Sequence, residues 1–163
     1  MTSLLQKTVA TLAAFAFAGM ASAALAAPSV IKVTLFDLGS GATMATDMGM
    51  TMGGDKSKAV MKIAATPAFA RAGDVTFEVT NNSKDVIHEM IVVKLKDEKT
   101  PLPYVAADSK VDEDAAGHLG EVSELDPGKG GALTLKLDPG TYMLLCNIPG
   151  HYMAGMWTTV TVK

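Results

Sequence analysis

Cysteine is scarce in this chain, since Cys146 is the only one in 163 residues. A lone cysteine excludes a disulfide within the chain, although an oxidising compartment would favour pairing. Three alternatives remain: an inert buried thiol, a bridge to another molecule, or a metal ligand. The residues that follow it, described below, favour the metal ligand.

Positive charge is also in short supply, because 14 Lys and Arg stand against 17 Asp and Glu. Proteins that bind DNA or RNA need basic side chains to neutralise phosphates. The composition therefore argues against a nucleic-acid partner. The sequence also lacks a Gly-rich phosphate loop and a recognisable catalytic triad, so it predicts no enzyme.

Long apolar runs are absent except at residues 8–27, which carry no charge and end in Ala-x-Ala sites. This order predicts a signal peptide over residues 1–26, cleaved after Ala26 or, as second choice, after Ala23. The alternative is a retained membrane anchor, because about 20 apolar residues can span a bilayer. Cleavage would leave a periplasmic domain over 27–163, with no stable membrane insertion. It would hold 13 basic and 17 acidic residues, a net charge of −4.

Short alternating apolar runs recur after residue 29, between Gly, Pro, Asn and Asp. Two Asp-Pro-Gly turns, at 126–128 and 138–140, mark tight reversals. Many short strands without a helical period predict an all-β, antiparallel β-sandwich, with any helix in the connection 96–117. The predicted strands are 31–36, 59–64, 75–80, 86–95, 120–124, 132–137, 141–146 and 157–162.

The segment 146–157 connects the last two predicted strands and carries Cys146, His151 and Met156. Thiolate and thioether are soft ligands and imidazole is borderline, so this set selects copper over hard cations. A trigonal site of two His and one Cys with a weak axial Met is the electron-transfer copper arrangement. The segment supplies one imidazole, and the second must come from elsewhere in the chain.

Two other histidines could complete the site. His88 lies in the apolar run 86–92, which places its side chain at or near the sandwich interior. A buried structural histidine is the alternative, but the nearby ligand set favours a metal ligand. His118 follows a Gly in a polar connection and fits a surface residue better, although it could replace His88. Met90 is predicted to pack in the core rather than to bind metal.

The order His88, then Cys146-x₄-His151-x₄-Met156 before a last strand, resembles the cupredoxins, or type 1 blue copper proteins. The loop is most similar to those of rusticyanin and sulfocyanin, and it is also similar to that of azurin. The resemblance implies a Greek-key β-sandwich with one copper ion near one end, held by these four residues. It departs at Glu89, where azurin and plastocyanin usually have an Asn that ties the strand to the loop.

The same resemblance implies how the protein would exchange electrons. The His151 ring edge would give the electron its route, and a redox partner such as a cytochrome or an oxidase would dock beside it. Such contacts are small and transient, and the protein is expected to be a monomer. The predicted apolar docking rim consists of Tyr152, Met153, Ala154, Gly155 and Trp157.

Eleven methionines are many for this length. Met44, Met48, Met50 and Met52 fall in a stretch of small residues that is predicted to be a mobile surface loop. Their thioethers could take up Cu(I), or they could cover apolar surface and scavenge oxidants, which is the favoured interpretation. The Cu(I) interpretation supports an alternative function in copper storage, delivery or resistance.

Overall fold

The computed structural model describes residues 29–163, so the predicted signal peptide at 1–26 lies outside the described part. This part contains eleven strands, one short α-helix and one 3₁₀ turn. The helix α1 is Glu113–Ala116 and the 3₁₀ turn is Lys56–Lys58. The strands are β1 Ser29–Asp37, β2 Met61–Thr66, β3 Phe69–Ala70, β4 Gly73–Asn81, β5 His88–Lys94, β6 Tyr104–Val105, β7 Lys110–Val111, β8 His118–Leu125, β9 Gly130–Leu137, β10 Gly140–Leu145 and β11 Trp157–Val162.

The long strands form two sheets, with orders β2-β1-β4-β9 and β3-β11-β10-β5-β8, and β6 pairs with β7 alone. The predicted Greek-key β-sandwich is confirmed. The antiparallel prediction is wrong for two pairs, because β1 pairs with β4 and β3 with β11 in parallel. A parallel pair needs a crossover connection. The chain between β1 and β4 provides one, since β2 lies on the opposite edge of β1.

The inner core follows from the period of two along the strands. On β1, Ile31, Val33 and Leu35 are fully buried, while their neighbours are more exposed. They pack in one cluster with Met90 and Val92 of the facing sheet. Burying a side chain of this size contributes about 1.5–3 kcal/mol. This core fixes the position of β5, and with it the position of His88.

The strand β5 is buried on both faces, which explains its unbroken apolar run. Its other face carries Ile91 and Val93, which the chain between β5 and β8 covers with a second cluster that includes Leu102 and Val111. The helix α1 lies in this connection, within the predicted range 96–117.

Asp112 caps α1 by accepting a hydrogen bond from the Ala115 N–H at 3.0 Å, and Gly117 ends the helix in the left-handed region at φ 74°. His118, predicted in a polar connection, is instead the first residue of β8. Among residues 29–163, no helix is long and apolar enough to cross a membrane.

Candidate metal centre

The two strands that carry the predicted ligands are neighbours. β10 pairs with β5 in antiparallel register, with Leu145 opposite Ile91. The end of β10 and the start of β5 therefore meet at the same edge of the sandwich. His88 is the first residue of β5 and Cys146 directly follows β10, so the pairing alone brings these two side chains together.

The loop after Cys146 folds back because its backbone hydrogen bonds close on themselves. The His151 N–H donates to the Ile148 carbonyl at 3.0 Å, and the Met156 N–H donates to the His151 carbonyl at 3.0 Å. The Cys146 N–H then donates to the Met156 carbonyl at 3.0 Å, which closes the loop. Gly150, with φ 84°, takes a conformation that other residues rarely adopt.

Three donor atoms converge at this end of the sandwich. The Cys146 Sγ lies 3.3 Å from the His151 Nδ1 and 3.9 Å from the His88 Nδ1. The two Nδ1 atoms lie 3.3 Å apart. All three side chains are buried, with His151 the most exposed at 5%. Met156 is fully buried, and the hydrogen bond from the Cys146 N–H to its carbonyl places its backbone beside these three residues.

Burial sets the protonation of this group. It raises the pKa of Cys146 to about 12, so the thiol keeps its proton at neutral pH unless a cation replaces it. It also lowers the pKa of His151 to about 4. The His151 ring is therefore neutral and free to donate a lone pair. A buried thiol between two imidazoles fits a soft or borderline metal ion such as copper.

Asp37 is a residue of the site that sequence reasoning missed. Its Oδ2 lies 2.6 Å from the His88 Nε2, and its side chain is 1% exposed. Burial alone would raise the pKa of Asp37, but hydrogen bonds from Ser83 and His88 lower it below its ordinary value. The carboxylate holds the Nε2 proton of His88, so the Nδ1 lone pair faces Cys146.

The backbone and the side chain of Glu89, the residue after His88, face opposite sides of the sheet. The backbone N–H of Glu89 points at the Cys146 Sγ, at 3.5 Å. Its carboxyl faces the other side of the sheet, where burial raises its pKa to about 7. Lys110 opposes this rise, and Glu121 and Glu113 add to it. A different side chain ties the loop, and it reaches the outer connection rather than this strand.

That tie is Asn147, the residue after Cys146. Its Oδ1 accepts a hydrogen bond from the Val111 N–H at 2.7 Å, and its Nδ2 donates to the Val111 carbonyl at 3.0 Å. The same Nδ2 also donates to the Glu113 Oε1 at 2.9 Å. The Cys loop is thus fixed to the outer connection. A sequence pattern does not reveal this role, because the partners lie more than 30 positions away.

The methionine-rich stretch packs on the loop, and we call residues 44–58 the Met segment. The Met48 N–H donates to the Met153 carbonyl at 2.8 Å, and the Trp157 Nε1 donates to the Met48 carbonyl at 2.7 Å. The Met50 N–H donates to the Tyr152 hydroxyl at 2.9 Å.

The prediction of a loop poor in core residues is therefore wrong for Met48 and Met50, which are buried, while Met44 and Met52 are exposed. The predicted docking rim is covered at Tyr152 and Ala154, which are also buried. Small residues such as Gly49 and Gly54 let the Met segment lie against the loop and against itself.

His118 does not join the Cys146 group. Its donor atoms lie instead with those of Glu113 and Glu121 in a separate group. The alternative in which His118 replaces His88 finds no support in this geometry.

Residues 56–163 match the family model of the sulfocyanin (SoxE) domain. The chain belongs to this family. Sulfocyanins are cupredoxins, which are copper electron-transfer proteins, and copper is the cofactor that this family assigns to the chain. The matched residues begin after β1, so Asp37 and most of the Met segment lie before the part that the sulfocyanin model describes.

The chain is also similar to individual auracyanins and rusticyanins. The chain is 33% identical over 91 residues to auracyanin-B of Chloroflexus aurantiacus, covering 52% of this chain and 39% of that protein. A rusticyanin variant aligns with TM-score 0.51 and 18% identity, over 84% of this chain and 80% of the other, which supports the fold alone. A reduced auracyanin of Roseiflexus castenholzii aligns with TM-score 0.48 and 18% identity, over 84% and 98%.

Proposed function

We propose that this chain carries single electrons by means of one copper ion held by His88, Cys146, His151 and Met156. The observation that carries the proposal is the convergence of one sulfur and two imidazole nitrogens within 4.8 Å of one another, all buried. Bound copper would supply a one-electron couple between its two common oxidation states. Every other requirement falls on the residues around it.

Those residues supply a fixed and dry site. Asp37 orients the ring of His88, and the backbone hydrogen bonds of the loop hold Cys146, His151 and Met156 in place. Ligands that are already positioned need little rearrangement when the charge on the metal changes, which favours fast electron exchange. Burial also keeps water out of the coordination positions.

The site of exchange is the sandwich edge beside His88 and His151. Leu38 follows Asp37, Ile87 precedes His88, and the Met44 methyl group lies against Gly150. All three side chains are exposed, and Leu38 is 77% exposed. They replace the covered Tyr152 and Ala154 as the apolar surface for a redox protein such as a cytochrome or an oxidase. Placing a charge there, as in Ile87→Glu, should slow electron self-exchange between copies of the protein, measured by NMR line broadening.

The proposal includes export. A signal peptide over residues 1–26 would deliver a domain of residues 27–163 to the periplasm, where it would work as a monomer. Mass spectrometry of the protein secreted to the periplasm would test this. A mature chain that begins at Ala27 supports cleavage, and a retained N-terminus would indicate the membrane anchor.

Absorption and spin-resonance spectra of the protein loaded with Cu(II) test the ligand assignment. Wild type should show an intense visible band, because the Cys146 thiolate donates charge to copper. Cys146→Ser should lose that band. Met90→Leu is the matched control, since Met90 is buried in the same cluster and should leave the band intact. A Cys146→Ser variant that keeps the band would overturn the assignment.

A second candidate function, copper storage or delivery, rests on the exposed thioethers of Met44 and Met52. Thioethers bind Cu(I), and a carrier of Cu(I) alone would stay colourless on isolation. The burial of Met48 and Met50 leaves this candidate fewer free ligands than the sequence suggested.

A further inference from the structure

A second group of ligating side chains lies on the outer side of the five-stranded sheet. The donor atoms of Glu113, His118 and Glu121 all lie within 4.8 Å of one another. None of these residues belongs to the Cys146 group, and the proposed copper function makes no use of them.

The register of β8 explains how His118 and Glu121 come to share a face. Side chains three positions apart on a strand ordinarily point to opposite faces. Here Glu121 is opposite Ile91 and His118 is opposite Val93, two positions further on. The extra residue on β8 is a bulge, which re-aims one side chain. His118 is thereby turned toward Glu121, with its Nε2 3.9 Å from the Glu121 Oε2.

Two polar atoms near this group are buried without a hydrogen-bond partner among the residues that the structure describes. One is the Nε2 of His118, and the other is the Oε1 of Glu89. Glu89 is only 6% exposed, and it lies two positions before Ile91, so it shares a sheet face with Glu121. An unpartnered buried polar group costs about 1–3 kcal/mol. A cation bound to His118 would remove that cost at its imidazole.

The surroundings favour entry of a cation. A shallow depression beside Glu113 is lined by four carboxylates and one basic side chain, Lys110. Asn147 lines it too, and it links Glu113 to the residue after Cys146. Clefts lined by one sign of charge raise the local concentration of the opposite ion. The four carboxylates belong to Asp108, Asp112, Glu113 and Asp114.

We propose that Glu113, His118 and Glu121 form a second metal site, with Glu89 behind them, for a borderline divalent cation such as Zn²⁺ or Cu²⁺. One imidazole and two carboxylates match three ligands of a tetrahedral Zn²⁺ site, with water in the fourth position. The absence of a thiolate makes the site a poor one for Cu(I). The hydrogen bond from Asn147 to Glu113 gives a bound cation a contact with the Cys146 loop.

Zinc titration of the copper-loaded, oxidised protein by calorimetry tests the proposal. Wild type should bind one equivalent of Zn²⁺, while the visible band persists and so shows that copper stays in place. His118→Ala and Glu121→Gln should each weaken zinc binding about 10-fold or more, by analogy with the loss of a metal-site partner. Glu98→Gln is the matched control, because Glu98 is an exposed carboxylate in the same connection.

A second readout separates binding at this site from general charge effects. Zinc should raise the reduction potential of the copper site in wild type and in Glu98→Gln, but not in Glu121→Gln. The proposal is overturned if wild type binds no zinc, if the three variants bind it equally, or if zinc bleaches the visible band in proportion to its binding. The donors are not shared with the Cys146 group, which is the same in copper-free wild type and in copper-free Glu121→Gln. If the copper assignment failed, the difference in zinc binding between these two proteins would still report this site.

Discussion

His88, Cys146 and His151 lie buried at the edge of the sandwich interior, whereas Glu113, His118 and Glu121 lie partly exposed on the outer side of one sheet. The first three residues, which we call the inner group, offer sulfur and nitrogen atoms that hydrogen bonds already hold in place. The other three, which we call the outer group, offer oxygen and nitrogen atoms beside an acidic depression. One fold thus separates a soft, fixed, dry site that suits a resident redox metal from a harder, wetter site that suits an exchangeable cation.

The largest expected effect comes from removing one histidine of each group. His88→Ala should destroy the native visible spectrum, or leave a gap that added imidazole refills, because His88 is proposed as a ligand of the inner group. His118→Ala should leave the spectrum nearly unchanged, since its ring belongs to the outer group. Absorption spectra of the two copper-loaded variants check this, and the reverse pattern would move the first ligand to His118.

The next effect concerns Glu89, which follows His88 but faces the outer group. Burial raises its pKa from 4.5 to about 7, so the folded state holds the proton more tightly than the unfolded state. The protonated Glu89 contributes fully to the free energy of unfolding below pH 4.5, and this contribution is lost as the pH rises through 7. Glu89→Gln should remove that loss, so the variant should gain up to about 3 kcal/mol relative to wild type between pH 4.5 and pH 8.

Urea unfolding of the copper-free proteins at both pH values measures this gain. The titration of His151 is common to wild type and variant, so it cancels in the comparison. Glu98→Gln should show no such pH-dependent gain. If the free energy of unfolding of Glu89→Gln changes with pH as that of wild type does, burial does not raise the pKa of the Glu89 carboxyl.

The sequence predicts the residues of the inner group but not the contact of Asp37 that orients His88, and the reason is physical. Cys146, His151 and Met156 lie within one loop, so their spacing is visible along the chain. The contact of Asp37 with His88 joins residues 51 positions apart, and it depends on how the sheets pack. An acidic residue at the end of a strand gives no signal of such a partner.

The same limit explains the errors in the fold. All eight predicted strands correspond to strands of the structure, because each is long enough to show its alternation. β3, β6 and β7 are two residues long and show none. The parallel pairs depend on crossover connections rather than on local pattern. The Met segment looked like an exposed loop because its apolar contacts come from a loop about 100 positions later.

A smaller effect is expected at Asp37, which supports the inner group without being a proposed ligand. Asp37→Ala should lower copper affinity about 10- to 100-fold, because His88 loses the partner that fixes its ring. Asp37→Asn can still accept the hydrogen bond from the His88 Nε2 and should lose less affinity. It should nevertheless raise the reduction potential, since a buried negative charge near copper is removed.

Competition with a Cu(I) chelator measures the affinity, and voltammetry measures the potential. Asp85→Asn is the control, since Asp85 is an exposed carboxylate that hydrogen-bonds Ser40 at the same edge of the sandwich. Equal affinities for Asp37→Ala and wild type would mean that the loop alone positions the site.

The smallest expected effect concerns whether the protein has a third group of metal ligands besides the inner and outer groups. Met44 and Met52 expose thioethers, which could form a third, soft group that neither of the others resembles. Deleting the whole Met segment would confuse the test, because Met48 and Met50 pack on the loop and make hydrogen bonds with it. The double variant Met44→Leu/Met52→Leu removes only the exposed sulfur atoms. We expect wild type and this variant each to bind one equivalent of Cu(I) in a chelator titration, because the burial of Met48 and Met50 leaves only two exposed thioethers on the Met segment. More than one equivalent in wild type, returning to one in the variant, would establish a Cu(I) site on the Met segment and favour storage or delivery.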